Sequence, residues 1–203
     1  MSGCNCGSEQ AEKLERNTLT ILLAINGFMF CAELVLGWIA QSTGLIADSL
    51  DMLADAAVYG LSLYSVGRGA LHQAKAAHVS GILQIALGLG VLVEVLRRML
   101  FGSEPQSDLI MAVGCVALLA NVICLVLVSK HRDGGVHMRA SVIFSTNDVL
   151  ANLGVIVSGA LVALIGNRFP DLIIGTAISL LVIRGGLKIL KDSKSVRESA
   201  VTT

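Results

Sequence analysis

The chain has 203 residues, of which 54% are hydrophobic, and its mean hydropathy is +0.76. A soluble globular protein is excluded, because soluble domains are less apolar. At about 20 residues for each membrane span, the length allows several spans but no further soluble domain of ordinary size. Lys and Arg number 15, as do Asp and Glu, and no basic run is present, so nothing indicates a nucleic-acid partner. We expect an all-α integral membrane protein in contact with membrane lipid.

The first segment, residues 1–16, is polar and lacks the apolar stretch and cleavage site of a secretory signal. We interpret it as a cytoplasmic N-terminal tail. Its Cys4 and Cys6 are soft ligands that could receive a metal at the cytoplasmic entrance, and a disordered tail without a metal role is the alternative. The other three cysteines lie in apolar segments, so the sequence indicates no disulfide framework.

Six apolar runs follow this tail, each long enough to cross a hydrocarbon core of roughly 30 Å as a helix. Turn-forming residues separate several of them, at 41–44, 102–107, 131–135 and 167–171. The sequence therefore predicts a six-helix transmembrane domain over residues 17–191, followed by a short cytoplasmic tail at 192–203. The runs cover approximately residues 18–40, 45–67, 77–100, 108–129, 139–166 and 170–190.

Lys and Arg residues are concentrated on one side of the predicted bundle. Eleven lie in the two tails and in the loops after the second and fourth runs, whereas the opposite side has Arg97, Arg98 and Arg168. By the positive-inside rule, both termini are cytoplasmic. Four histidines lie in or beside the same loops, where they could pass metal inward or simply be solvated: His72, His78, His131 and His137.

The second run contains three aspartates in the stretch DSLDMLAD, residues 48–55. At about 100° per residue, Asp48, Asp51 and Asp55 project from one face of a helix. Acidic side chains within a membrane almost always face a protein interior or a water path. Since this helix carries no cationic side chain to pair with them, a bound cation is the simplest countercharge.

The fifth run supplies a complement in FSTNDVLANL, residues 144–153. Asp148 and Asn152 stand one turn apart with Ser145 nearby, whereas Asn147 lies about 100° round from Asp148. Counted from the cytoplasmic ends of their helices, Asp55 and Asp148 lie roughly 20 and 14 Å deep, at roughly 1.5 Å per residue. Both positions are near the middle of the membrane.

Carboxylates that converge from two antiparallel helices can hold a divalent cation. Oxygen ligands suit Mg²⁺, Ca²⁺ and Mn²⁺, and zinc also accepts carboxylates, so the ligand type leaves the metal open. Because neighbouring carboxylates repel one another, they also bind protons readily, and metal and protons would compete for the same oxygens. This competition is the physical basis of exchange between metal and protons.

At these residues the chain resembles the cation diffusion facilitator family, six-helix exporters of divalent metals that are coupled to proton uptake. The family pattern A-D-x-x-[HD]-x-x-x-D matches residues 47–55 of the second run. The pattern R-x-x-x-x-H-x-x-x-D matches Arg139 and Asp148 in the fifth run, but Phe144 stands in place of the histidine. Further matches are Glu33 and Gly37 in the first run and Asn121 in the fourth.

The resemblance implies that Asp51, Asp55 and Asp148 are ligands of a transport site. Phe144 cannot bind metal, so the fourth ligand is open, with water, Asp48, Asn152, Ser145 and Asn147 as candidates. It also implies an exporter of Zn²⁺ and Cd²⁺ that works by alternating access, with the metal as substrate, protons as coupling ion and no resident cofactor. We expect it in a bacterial inner membrane. Because the chain ends about a dozen residues after its last run, without the cytoplasmic domain common in the family, a homodimer would form through transmembrane helices.

Structural roles are the alternatives for these acidic residues. The three presumed ligands could belong to a polar network or pair with Arg184. Asp48 could cap the second helix or line an exit path. Glu33, which shares a helix face with Asn26, could bond to another helix or relay protons.

Other functional classes are less well supported by the sequence. A phosphatidyltransferase that uses CDP-alcohols needs D-x-x-D-G-x-x-A-R, and here Met52 follows Asp51 in place of the glycine, Asp55 replaces the alanine and the arginine is absent. A metal-gated channel or sensor could be lined by the same acids. No G-x-x-x-x-G-K-[ST] motif is present, so the sequence does not support an ATP-driven pump. We therefore expect a transporter and not an enzyme.

Overall fold

The structure is a computed structural model that describes residues 5–65, 70–130 and 136–199. The described chain forms six α-helices and no strands, which confirms the all-α prediction. The helices are α1 (Asn5–Ile39), α2 (Thr43–Ser65), α3 (Ala70–Phe101), α4 (Ser107–Ser129), α5 (Val136–Ile165) and α6 (Phe169–Ser199). Only the backbone is described for residues 5–15, 62, 65, 70–77, 80, 136–144, 147 and 195–199.

Each helix begins before its predicted apolar run, and α3 and α6 also end beyond theirs. α1 begins at Asn5, inside the segment interpreted as a tail, and α6 continues to Ser199. Hydropathy detects only the part of a helix that suits lipid, so polar turns at its ends escape it. Connections are present at three of the predicted turns, and each is shorter than predicted: 40–42 for 41–44, 102–106 for 102–107 and 166–168 for 167–171. The predicted turn at 131–135 lies outside the described residues.

Four described helical segments are long and apolar enough to cross a membrane: Arg16–Ile39, Ser107–Ser129, Asp148–Ile165 and Phe169–Lys194. α2 is not among these segments and contains three acidic residues, Asp48, Asp51 and Asp55. Large apolar side chains face outward from the bundle, as Phe28 and Leu164 do with 72% and 81% of their surface exposed. An outer surface of this kind is stable in lipid, and the protein is a multi-pass integral membrane protein.

α2 is the central helix of the bundle and contacts each of the other five. Residues 42–50, which include its first two turns, are all buried. Its partner α6 packs closely on α3, where Ser179 Oγ donates a hydrogen bond of 2.7 Å to the carbonyl oxygen of Gly88. A Cβ at Gly88 would lie 2.6 Å from Ile183 Cγ1, so this glycine permits the close approach of the two helices.

The connections at 40–42, 102–106 and 166–168 form one end of the bundle, which we call the Ser42 end. Ser42 caps α2, since its Oγ accepts the N–H of Leu45 at 3.1 Å. The expectation that Asp48 could cap this helix is therefore wrong, because Asp48 lies inside α2. Gly102 and Gly166 end α3 and α5 with φ values of +90° and +70°, a conformation that glycine adopts without strain.

The Ser42 end is held together by the carboxylate of Asp171, which lies in the first turn of α6. Asp171 is buried and accepts the N–H of Thr43 at 2.6 Å and the N–H of Gly44 at 3.2 Å. It also accepts the hydroxyls of Ser42 and Thr43. A carboxylate from α6 thus satisfies backbone donors that the first turn of α2 leaves without helical partners.

Candidate functional site

α2 and α5 bring together the three aspartates that the sequence analysis singled out. Asp148, on α5, is buried, whereas Asp51 and Asp55, on α2, are half-buried. The carboxyl group of Asp148 lies close enough to those of Asp51 and Asp55 for the three groups to interact electrostatically. Three acidic groups therefore meet between two helices in the interior of the bundle.

Asn152 lies one turn further along α5 and links this group to Asp48. Its Nδ2 donates to the backbone carbonyl of Asp148 at 2.9 Å and approaches Oδ1 of Asp48 at 3.5 Å. The side chain of Asn152 is fully buried, and its Oδ1 has no hydrogen-bond partner among the described residues. Asn152 therefore holds its position through its amino group and leaves an oxygen available.

Ser145 and Tyr59 complete the surroundings of the aspartates. Ser145 lies one turn before Asp148, is buried, and its Oγ has no partner in the described part of the chain. Tyr59 donates its hydroxyl to Oδ2 of Asp55 at 3.4 Å, a long hydrogen bond. The sequence analysis missed Tyr59, although its spacing of four residues from Asp55 places the two on one helix face.

Asp48 lies nearer the Ser42 end and faces Glu33 of α1. Both side chains are at most 1% exposed, and their carboxyl groups are close enough to interact electrostatically. The sequence analysis expected Glu33 to bond across helices, but neither of its carboxyl oxygens accepts a hydrogen bond from the described residues. The neighbour of Glu33 on the next helix is another acid.

No described cationic side chain pairs with these acids. Two ion pairs lie within α3, where Glu94 contacts Arg97 at 2.7 Å and Arg98 at 2.6 Å. Arg184, the cation considered as a structural partner, is exposed and forms no ion pair with another described residue. The structure therefore gives no support to a buried ion pair at the aspartates.

The three carboxyl groups lie near one another but are not arranged around a common centre. Within the described ranges, no three His, Cys, Asp or Glu side chains are already arranged to hold a metal ion. Several proposed metal-handling residues cannot be placed: Cys4 and His131 lie outside the described residues, as do the side chains of Cys6, His72, His137 and Asn147. The side chain of Phe144 is also outside them.

Comparison with known proteins agrees with this description. The family described as "Cation efflux transmembrane domain" matches residues 19–196. A protein named "Zinc transporter ZitB" from Yersinia pseudotuberculosis is 25% identical over 189 residues, which cover 86% of this chain and 60% of the relative. The ZitB of Escherichia coli is 27% identical over 180 residues, or 82% of this chain and 57% of the relative.

A third relative, from Bacillus velezensis, is named "Cadmium, cobalt and zinc/H(+)-K(+) antiporter". It is 21% identical over 192 residues, which cover 86% of this chain and 60% of the relative. The chain thus spans about 60% of the length of these relatives. Because the family match covers nearly all of the described helices, the chain belongs to the cation efflux family.

Proposed function

We propose that this protein exports Zn²⁺ and Cd²⁺ from the cytoplasm in exchange for protons, by alternating access around Asp51, Asp55 and Asp148. The observation that carries the proposal is the meeting of these three carboxyl groups between α2 and α5, without a cationic partner among the described residues. Groups of this kind need a cation or protons to be stable inside a membrane protein.

Metal and protons compete at such a site because a carboxylate oxygen cannot bind both at once. Entry of protons from outside would release the metal, and loss of protons to the cytoplasm would restore the ligands. Proton exchange therefore requires no residue beyond the ligands themselves. The names of the relatives support this choice of ions, since they include zinc, cadmium and H⁺.

Two residues are candidates for the donor that Phe144 cannot supply. Ser145 has a buried Oγ without a hydrogen-bond partner in the described chain, and Asn152 has a buried Oδ1 in the same situation. Either oxygen, or a water molecule, would complete a four-ligand site for zinc. Because no three of these side chains are already arranged to hold a metal ion, binding would require the Asp51 and Asp55 side chains to reorient.

We propose that all six helices cross a bacterial inner membrane, with both termini in the cytoplasm. The proposal is supported by the excess of Lys and Arg at the end of the bundle that holds the termini. A homodimer would form through the transmembrane helices. Labelling of single cysteines with an impermeant reagent tests the topology, and chemical cross-linking in native membranes tests the dimer.

The decisive experiment measures Zn²⁺ uptake into sealed proteoliposomes that contain a zinc-sensitive dye, with and without a pH gradient. Wild-type flux should follow the proton gradient, and Asp55→Ala should abolish it while remaining folded. Asp108→Ala is a matched control, because Asp108 is an exposed carboxylate on α4. Equal zinc flux in wild type and Asp55→Ala would show that the aspartates are not the transport site.

The same liposomes distinguish the two remaining functional classes. Saturable flux that depends on protons supports a carrier, whereas ohmic single-channel currents would show a channel. Phosphatidyl transfer from a CDP-lipid by the purified protein would show an enzyme. The relatives are named as transporters and an antiporter, which favours transport.

A further inference from the structure

Glu33 and Asp48 form a second acidic pair, which the proposed transport site does not use. They come from adjacent helices, α1 and α2, and are 0% and 1% exposed. Three of their carboxyl oxygens have no hydrogen-bond partner among the described residues: both oxygens of Glu33 and Oδ2 of Asp48. Three buried carboxyl oxygens therefore lie at one place in the bundle without a donor.

Buried carboxyl oxygens without a hydrogen-bond donor need a bound proton or cation to be stable. Leaving a buried polar group unsatisfied costs about 1–3 kcal/mol, and more when the group is charged. One proton shared between the two carboxyl groups would satisfy two oxygens and remove one charge. A divalent cation would bind oxygens of both groups and balance two negative charges, so it matches the pair more completely.

We propose that Glu33 and Asp48 form a second divalent-cation site, distinct from the one at Asp51, Asp55 and Asp148. Its occupant is the transported metal, held by the two carboxylates and by water. The site lies towards the Ser42 end, because α2 begins there and Asp48 precedes Asp51 by one turn. Asp48 is five residues from the start of α2, or about 8 Å along the helix.

Asn152 connects the two sites physically. Its amino group approaches Asp48 and donates a hydrogen bond to the backbone carbonyl of Asp148. A shift of α5 at Asp148 would therefore change the position of the Asp48 carboxylate, a ligand of the second site. Metal released from the first site would find the second one turn nearer the Ser42 end. This relay role rests on the proposed function, whereas the existence of the second site does not.

The test counts zinc bound to the purified full chain in detergent, by equilibrium dialysis and elemental analysis. Glu33→Gln and Asp55→Asn should each bind one Zn²⁺ fewer than the wild type, and the double variant should bind two fewer. Asp108→Asn, which changes an exposed carboxylate, should bind as many as the wild type. The result is the difference in bound zinc between each variant and the wild type, because other ligands, such as the tail cysteines, bind the same amount of zinc in every protein.

Two outcomes would overturn the proposal. If Glu33→Gln and Asp48→Asn both bind as much zinc as the wild type, the pair holds a proton or another ion. If the double variant loses only one equivalent, the two clusters are a single site. Loss of one equivalent in Glu33→Gln with no loss in Asp55→Asn would refute the proposed transport site and leave the second site standing. Asp48→Asn replaces Glu33→Gln if the latter fails to give a monodisperse protein.

Discussion

Replacement of Asp171 by alanine is expected to destabilise the bundle by more than a change at any exposed acid. The Asp171 carboxylate accepts two backbone N–H groups, those of Thr43 and Gly44, and the hydroxyls of Ser42 and Thr43. These four donors belong to three residues, all of them buried. Replacement of Asp171 by alanine would remove both carboxylate oxygens and with them the acceptor of all four hydrogen bonds.

The magnitude follows from the donors that lose their partner. The hydroxyl of Thr43 also donates to the backbone carbonyl of Asp171 at 3.1 Å, so it would still have an acceptor in Asp171→Ala. The two backbone N–H groups keep none, and each buried donor without a partner costs about 1–3 kcal/mol. Loss of a negative charge at the start of α2 adds about 0.3–1 kcal/mol. We expect a loss of about 2–7 kcal/mol in the free energy of unfolding for Asp171→Ala, and a smaller loss for Asp171→Asn, which keeps one acceptor.

The free energy of unfolding can be measured by SDS titration in mixed micelles. The single tryptophan, Trp38, lies near the Ser42 end and provides a fluorescence signal. Asp108→Ala is the control, because Asp108 also lies in the first turn of a helix but is exposed. It should change stability by at most about 1 kcal/mol, which is the contribution of an exposed charge at a helix start. If Asp171→Ala were as stable as this control, the hydrogen bonds at the Ser42 end would not stabilise the bundle.

Three further substitutions and a change of pH have expected outcomes. Gly175→Ala should destabilise the bundle by about 1–3 kcal/mol in the same titration, because its Cβ would lie 2.8 Å from the backbone of Thr43. Gly90→Ala, where no atom lies within 4 Å, should be neutral or stabilising by up to about 1 kcal/mol, and equal effects at both positions would contradict this packing. Tyr59→Phe should weaken zinc affinity by about two- to tenfold through loss of the hydrogen bond to Asp55, and an unchanged affinity in equilibrium dialysis would exclude that role. Zinc affinity should fall as pH is lowered, because protons occupy the ligand oxygens, and a flat profile by calorimetry would argue against carboxylate ligands.

The sequence predicted the helical class and the side chains that meet at Asp148. Asp48, Asp51 and Asp55 share a face because helical periodicity is local and needs no knowledge of other helices. The spacing within α5 likewise placed Ser145 and Asn152 beside Asp148. Local spacing could also have identified Tyr59, which the analysis overlooked.

Contacts between distant segments were harder to predict. Asp171 and Thr43 are 128 residues apart, and the turn signal at 167–171 indicated only a loop, so no local pattern predicted that an acid there would hold the first turn of α2. Glu33 and Asp48 could have been paired, because a short connection joins α1 to α2 and both residues lie at similar distances from it. The sequence analysis treated Glu33 within α1 alone and so expected a donor where another acid is present.

The buried acids of this protein differ in what surrounds them and not in their chemistry. Asp171 is as deeply buried as Asp48, yet its carboxylate receives four hydrogen bonds and lies at the positive end of a helix dipole, so the protein itself satisfies its charge. Glu33 and Asp48 have acceptor oxygens that no described group satisfies. Asp148 meets two further carboxyl groups and no described cation. Because the fold can supply donors to a buried acid and does so at Asp171, the acids that it leaves without them require protons or a metal ion to balance their charge.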